Sequence, residues 1–384
     1  MKILALTSIR SEYDLMSYVY RKLDNDPEID LRLLVGGCHN SPSFGMTIEE
    51  IKKDGFKILC EIDSLIDSDS GSARIKSASV LLISSIDIVK SFSPDLIIYA
   101  GDREDVMIGA LLGGYLGIPT IHFFGGDHAS DGHIDNPIRH AVSKLSTCHF
   151  VSVDEHVSRL KRIGEPQHRI YNIGSVALDK FQEIPARTDI LQHVSGANLK
   201  KKSALLIFHP VEDEIAIADQ IIVGMMDALI EDDYHVFAGL PNSDHGNYKI
   251  RRALEKYIGN DNVTLYGNLP RDSFVQLFKA CSLIIGNSSA GLLEAASVPI
   301  PCINVGMRQR GRLSAENVIF VDPNVEHIKK ALSEVKCPDF LDRIEHLSNP
   351  YGDGHASDRA VELIKSIDFL GMQRKYEDPL NVGS

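Results

Sequence analysis

A chain of 384 residues is too long for one ordinary hydrophobic core, and its 43% hydrophobic content is enough to fill two. A formal net charge of −13 excludes the broad basic surface that nucleic acid requires, so an anionic substrate has to be met by local arginines. No apolar run approaches the ~20 residues of a membrane span, and Met1-Lys-Ile-Leu-Ala-Leu-Thr7 reads as a first strand rather than a signal peptide. The expectation is a soluble cytoplasmic protein with no nucleic-acid or membrane partner. Six cysteines (38, 60, 148, 281, 302 and 337) show no paired metal-ligand spacing and read as free thiols, most of them buried.

In chain order, residues 2–7 form the first buried strand. Ser11 with Asp14 three positions on resembles a capping box for a helix through Leu23. Ser8-Ile9-Arg10 is then a short loop at the strand's carboxyl end. Arg10 is either a solvated loop cation or an anion ligand at a helix start. A strand over 31–37, a helix over 47–54, a strand over 57–62, a polar loop over 63–71 and a long helix over 73–91 follow. After the segment taken up next, a strand over 149–153, a helix over 154–163 and a strand over 170–174 complete the first half. Strand and helix alternate throughout, which predicts a doubly wound parallel sheet.

The segment over 95–140 organises that half. Asp95-Leu-Ile-Ile-Tyr-Ala-Gly-Asp102 is a buried strand delivering a carboxylate to its carboxyl end, with Arg103 next and a helix over 105–116. A second strand, 120–124, runs into Gly125-Gly126-Asp127. Beyond a polar loop comes Asp135-Asn-Pro-Ile-Arg139-His140, where Pro137 suits the first turn of a helix. Asp102, Asp127 and Asp135, with Arg103 and Arg139, therefore gather at the carboxyl edge of one sheet, where open α/β sheets bind ligands. Each piece alone also fits a helix cap or a turn; the set together points to chemistry.

Over 184–202 the pattern dissolves into polar and charged residues, the expected linker. A second α/β series follows. It has strands at 203–208 (ending in His209-Pro210), 234–239, 263–266, 283–285 and, as the last, 301–305. Its helices lie at 215–230, 247–257 and 272–281. Gly286-Asn-Ser288-Ser289-Ala-Gly-Leu-Leu-Glu294 places small residues and hydroxyls between a strand and a helix. That is a phosphate cradle without the Walker lysine. Arg308, Arg310 and Arg312 follow the last strand and suit a diphosphate, although Arg310 reads better as a solvated cation. A final helix covers about 358–370. The expected organisation is a first Rossmann-like domain over 1–182, to which a C-terminal helix within 355–384 belongs, and a second over 200–350. Two such domains with a nucleotide cleft between them make the GT-B architecture.

Taken in order, these motifs resemble the hydrolysing UDP-N-acetylglucosamine 2-epimerases, enzymes that supply mannosamine-type sugars for sialic and legionaminic acid synthesis. The resemblance rests on Arg10-Ser-Glu-Tyr13, Gly101-Asp102-Arg103, Ile138-Arg139-His140 with Lys144, and Ile173-Gly174-Ser175. Phe208-His209-Pro210, Gly286-Asn287-Ser288-Ser289 and Arg308-Gln309-x-Gly311-Arg312 complete it. It implies elimination of UDP across C1–C2 to a glycal, followed by hydration to the free inverted sugar. Asp102, Asp127 and Asp135 would be the acid/base set, and His209 would orient the substrate or leaving group. Arg10 and Arg308 would hold the diphosphate, Ser288 and Ser289 the phosphate, and Glu294 the ribose. The partner is a UDP-sugar, the expected assembly a homodimer or homotetramer, and no step needs a metal or redox cofactor.

Two departures stand out. The family usually has Gly-Gly-Glu where this chain has Gly125-Gly126-Asp127, which withdraws the carboxylate by about 1 Å, a shift able to cost ~10²-fold. The loop over 127–135 is also long and carries His128, Asp131 and His133, which read as solvated side chains rather than metal ligands. Both departures bear on the identity of the sugar. The remaining alternatives are a non-hydrolysing epimerase, a GT-B glycosyltransferase and, because of Asp127, an inactive nucleotide-sugar sensor.

Overall fold

The computed structural model describes residues 1–68, 70–129, 134–241, 246–267 and 269–382. Met1–His128, Gly132–Asp179 and Gly354–Ser384 make one compact unit, and Lys180–Asp353 is the body of a second. No helix among the described residues is long and apolar enough to cross a membrane.

The first unit holds seven parallel strands: β1 (Lys2–Thr7), β2 (Asp30–Val35), β3 (Ile58–Glu61), β4 (Leu96–Ala100), β5 (Thr120–Phe123), β6 (Cys148–Val151) and β7 (Ile170–Asn172). Their order is β3-β2-β1-β4-β5-β6-β7. The chain winds outward from β1 and then returns to its other side at β4, so the order reverses there. Helices α1 (Arg10–Asp24), α2 (Ile48–Lys53), α3 (Gly71–Phe92), α4 (Glu104–Leu116), α5 (Asp135–Leu145) and α6 (Asp154–Arg162) connect them. Side chains alternate across a strand, so Ile3 and Ala5 enter one core with Tyr13, Met16 and Tyr20 of α1. Leu4 and Leu6 enter the opposite core with Leu81 of α3 and Val106 of α4. Both faces are covered, which is why these strands read as continuous apolar runs.

The second unit begins with α7 (Asp179–Glu183) and α8 (Ile190–Ser195). It holds β8 (Ser203–Ile207), β9 (His235–Gly239), β10 (Val263–Tyr266), β11 (Leu283–Gly286), β12 (Cys302–Val305) and β13 (Val318–Val321). Its sheet order is β10-β9-β8-β11-β12-β13. Helices α9 (Ala218–Glu231), α10 (Asn247–Glu255), α11 (Arg271–Ala280), α12 (Ala290–Leu293), α13 (Val325–Glu334) and α14 (Pro338–Glu345) surround it. The chain then returns to the first unit as α15 (Ala356–Ser366), α16 (Phe369–Met372) and α17 (Pro379–Val382). Asp179 fixes that return by accepting the N–H groups of Ala356 at 3.1 Å and Ser357 at 2.7 Å, capping α15.

Several expectations change. Helix α1 starts at Arg10 with Ile9 as its cap residue and no side-chain cap, so Ser11 lies inside the first turn and makes no capping box. The supposed linker contains α8; Ile184 and Ile190 are buried in a core of the second unit, and Leu191, Val194 and Leu199 pack against it, which orders the stretch between its polar residues. The helix expected from 215 starts as a 3₁₀ turn, Glu212–Ile217, before α9. Strand 301–305 is not the last, because β13 pairs with β12 beyond it. The helix expected through Leu370 ends at Ser366.

Candidate active site

In the first unit, β4 and β5 are neighbours and each ends in a turn that an ordinary side chain resists. Gly101 has φ +100°, Phe124 +62° and Gly126 +79°. A Cβ on Gly126 would stand 2.5 Å from the His156 carbonyl, so glycine is required there. These turns aim Asp102 and Asp127 off adjacent strand ends. Arg139, in the second turn of α5 and 8% exposed, meets both. One guanidinium nitrogen hydrogen-bonds Asp102. The other donates to the Phe124 carbonyl at 2.8 Å and lies 3.6 Å from Asp127. Asp127 also accepts the His128 N–H at 2.8 Å and sits 3.4 Å from His156 Nε2.

Asp135 is placed differently. It opens α5 but lies 3.7 Å from Arg74, a guanidinium that also grips Glu104 at 2.6 and 3.1 Å. Arg10 is drawn toward acids, with its Nε 3.1 Å from Glu50 and 3.7 Å from Asp14. Arg103 is the cap residue of α4, and its charge acts on two carboxyls that sequence reasoning left out, Glu12 and Asp105. Burial pushes Glu12 well above the usual carboxylate range and its neighbour Asp105 pushes further; burial likewise raises Asp105 against the opposing pull of Arg103. The available signal for Glu12 was its place inside Arg10-Ser-Glu-Tyr13. His128 stacks on His140 with centroids 5.6 Å apart, and burial, then His128, lowers the His140 pKa. Asp131 and His133 lie outside the described residues. Among those described, no group of three or more His, Cys, Asp or Glu is placed to hold a metal ion.

In the second unit, the turns after β8, β11 and β12 are tied together by Asn287. Its side chain accepts the His209 N–H at 2.7 Å and donates to the His209 carbonyl at 2.8 Å. Its carbonyl accepts from Arg308 and Gln309, both at 3.2 Å. Gly286 has φ +134°, and a Cβ there would collide with the Ile207 carbonyl. His209, Gly286, Ser288, Ser289 and Arg308 are thus gathered where the strand order of this sheet reverses. Ser288 Oγ accepts the Ala290 N–H at 3.3 Å. The helix after Ser289 is a single turn, so its dipole is small. Glu294 closes that turn, 5% exposed, with Oε1 2.7 Å from Lys180 and Oε2 buried without a protein partner. Arg310 pairs with Asp322 at 2.7 Å, away from Asn287.

The chain is similar to known proteins over most of its length. A family model described as UDP-N-acetylglucosamine 2-epimerase matches residues 21–365. UDP-N,N'-diacetylbacillosamine 2-epimerase (hydrolyzing) of Legionella pneumophila is 33% identical over 95% of this chain and 96% of its own. GDP/UDP-N,N'-diacetylbacillosamine 2-epimerase (hydrolyzing) of Campylobacter jejuni is 30% identical over 88% of each. The structure of the Neisseria meningitidis UDP-GlcNAc 2-epimerase bound to UDP-GlcNAc superposes with a TM-score of 0.82 at 18% identity. It covers 96% of this chain and 100% of that one, a likeness of fold. Fold, carboxylate edge and relatives define an enzyme of the hydrolysing sugar 2-epimerase type. The chain belongs to the UDP-N-acetylglucosamine 2-epimerase family.

Proposed function

We propose that this protein converts UDP-N,N'-diacetylbacillosamine and water into UDP and the free 2-epimeric 2,4-diacetamido sugar. The product would enter nonulosonic acid synthesis of the sialic and legionaminic type. The observation that carries the reading is Arg139, bonded to Asp102 and 3.6 Å from Asp127 on adjacent strand ends. The diacetamido substrate is favoured because the Legionella and Campylobacter relatives, at 33% and 30% identity, are both named for it.

In this mechanism one carboxylate removes the C2 proton as the C1–O bond to the diphosphate breaks, leaving a 2-acetamidoglycal and UDP. Water then adds at C1 while an acid returns a proton to C2 on the opposite face. Loss of UDP and addition of water leave the sugar's net oxidation state unchanged, so no redox group enters the balance. Asp102 and Asp127 are the acid/base candidates on one cation, and Asp135, held near Arg74, is the third. In the second unit, Arg308 and the Ser288 and Ser289 hydroxyls receive the diphosphate, and His209 steadies the leaving group. The unpartnered Oε2 of Glu294 accepts a ribose hydroxyl.

The protein acts in the cytoplasm, where nucleotide sugars are made, and we propose that it self-associates. Ile75 and Ile83 on α3 and Tyr115 on α4 are 69%, 74% and 89% exposed, large apolar side chains that a second copy would cover. Light scattering on the eluting protein reads that assembly directly. The function is tested by incubation with a panel of UDP- and GDP-linked amino sugars in heavy water. Free sugar carrying deuterium at C2, formed in step with the nucleotide diphosphate, is expected from UDP-N,N'-diacetylbacillosamine. Return of an intact epimeric nucleotide sugar, or transfer without exchange at C2, would refute it.

A further inference from the structure

Beneath the catalytic edge of the first unit lies a buried polar cluster that the mechanism above does not use. Glu165 has no solvent exposure and gathers three partners: His149 Nε2 at 2.8 Å, Lys144 Nζ at 2.7 Å and Lys375 Nζ at 2.6 Å. Burial alone would raise its pKa, but the His149 hydrogen bond and the lysine charges prevail and hold it at about 2. Lys375 belongs to the C-terminal tail, more than two hundred residues away in sequence. Arg169 fastens the same tail, bonding Glu377 at 3.0 Å and the Arg374 carbonyl at 2.9 Å.

Lys375 does more than neutralise Glu165. Its ammonium also donates to the Ser143 and Lys144 carbonyls, at 3.3 and 3.0 Å. Both lie in the last turn of α5, where helix carbonyls lack intrahelical partners and a cation is favoured. The tail therefore caps the helix that carries Arg139. From Ser143 the connection continues. Its hydroxyl lies 3.0 Å from both the Arg139 carbonyl and His122 Nδ1. His122 Nε2 is 2.8 Å from the carbonyl of Gly101, the residue before Asp102. A carbonyl only accepts, so Nε2 carries the proton. Burial keeps the ring neutral, with a pKa lowered to about 3, so Nδ1 only accepts, and the single Ser143 hydroxyl proton is shared between Nδ1 and the Arg139 carbonyl. A route of hydrogen bonds and intervening main chain thus runs from the tail to the backbone of Arg139 and to that of Gly101, next to Asp102.

We propose that Lys375, acting through the last turn of α5, Ser143 and His122, is a positioning residue for Arg139 and Asp102, so that the C-terminal tail completes the active site. The tail tightens the registry of one helix against one strand end, and its loss lowers turnover without touching the nucleotide site in the other unit. The catalytic consequence rests on the function proposed above, whereas the structural coupling does not.

The experiment compares Lys375→Met, Lys375→Arg, Ser143→Ala and the double variant Lys375→Met/Ser143→Ala with Lys365→Met. The last breaks a tail-side ion pair to Asp26 (2.6 Å) that does not reach α5. Amide exchange over 135–145 and 100–103 should quicken in Lys375→Met and Ser143→Ala and stay unchanged in Lys365→Met, whichever substrate proves right. On a substrate that turns over, kcat should fall about 10-fold, short of the ~10²-fold of a full 1 Å misplacement, with KM and UDP affinity unchanged. Lys375→Arg should restore most of the loss, and the double variant should be no worse than the worse single one. If Lys375→Met does not fold, Ser143→Ala still decides. Wild-type exchange in Ser143→Ala, wild-type kcat in either single variant, or strictly additive losses would overturn the proposal; unchanged exchange in particular does so even if no substrate is found.

Discussion

Arg139→Lys isolates the geometry of the site from its charge. The guanidinium spreads its donors over Asp102, the Phe124 carbonyl at 2.8 Å and Asp127 at 3.6 Å. An ammonium keeps the positive charge but is a single point, so it satisfies one side of this bracket and releases the other. The loss is one charge-assisted hydrogen bond, about 1.5–3 kcal/mol when buried. The Asp102 and Asp127 side chains are 27% and 16% exposed, so water compensates in part and the lower end of that range applies to stability. Turnover is more sensitive, because a released carboxylate drifts by about 1 Å and such a drift costs ~10²-fold, or ~2.7 kcal/mol. The expected outcome is therefore a small fall in Tm, unchanged UDP affinity by calorimetry, and a kcat for UDP release lowered by about two orders of magnitude. A kcat within threefold of wild type would show that the fork does not set the carboxylates and would remove Arg139 from the site.

Three further outcomes follow from the same structure. Asp127→Glu should lower turnover on the true substrate, because the extra methylene overshoots by about 1 Å; a gain on every nucleotide sugar tested would favour a decayed site. Glu294→Ala should raise KM about 10-fold with little change in kcat, as expected of a ribose contact remote from the bond changes; an equal loss in kcat would argue against that role. Thermal stability should fall in acid in two stages. His122 is held to about 3 against an ordinary 6.5, and Glu165 to about 2 against 4.5. Both folded values lie below the unfolded ones, so each contribution is complete above the unfolded pKa and lost as pH drops, from about 6.5 to 3 and from about 4.5 to 2. Calorimetry of wild type and His122→Asn over that range should find the first stage diminished in the variant.

Much of the fold was legible because buried parallel strands leave a plain signature: apolar runs such as Leu96–Ala100, followed at once by Gly101, and Leu283–Gly286, with the glycine of each at a positive φ. Asp102 and Arg139 follow from it, since strand ends and helix starts collect at one edge. What was not legible came from two sources. Short elements carry little pattern: β13 is only Val-Ile-Phe-Val, and the helix after Ser289 gives no sign that it stops after one turn. Long-range polar contacts carry none at all. Nothing about Lys375 in a charged tail marks it as the cap of α5, and His122 inside Thr120–Phe123 reads like any strand residue. Even Glu294, singled out from the sequence, conceals that half of its carboxylate is committed to Lys180.

Asp127 is the point at which sequence and structure bear on each other most directly. Against a usual glutamate it looks like erosion, and erosion would leave the shorter side chain loose at the edge. Instead it is held from three directions: by the His128 N–H at 2.8 Å, His156 Nε2 at 3.4 Å and Arg139 at 3.6 Å. Its backbone follows the Phe124–Gly126 turn, where Gly126 has room only for hydrogen, and Arg159 binds the Gly126 carbonyl from α6. Such an arrangement is costly to maintain around a carboxylate without a task, since each positive-φ residue and each buried donor must be offset elsewhere. The shorter side chain is therefore anchored rather than loose, by contacts from α5, from α6 and from the residue that follows it. These contacts make Asp127→Glu the variant that separates a carboxylate fitted to its place, where turnover falls, from a decayed one, where it rises.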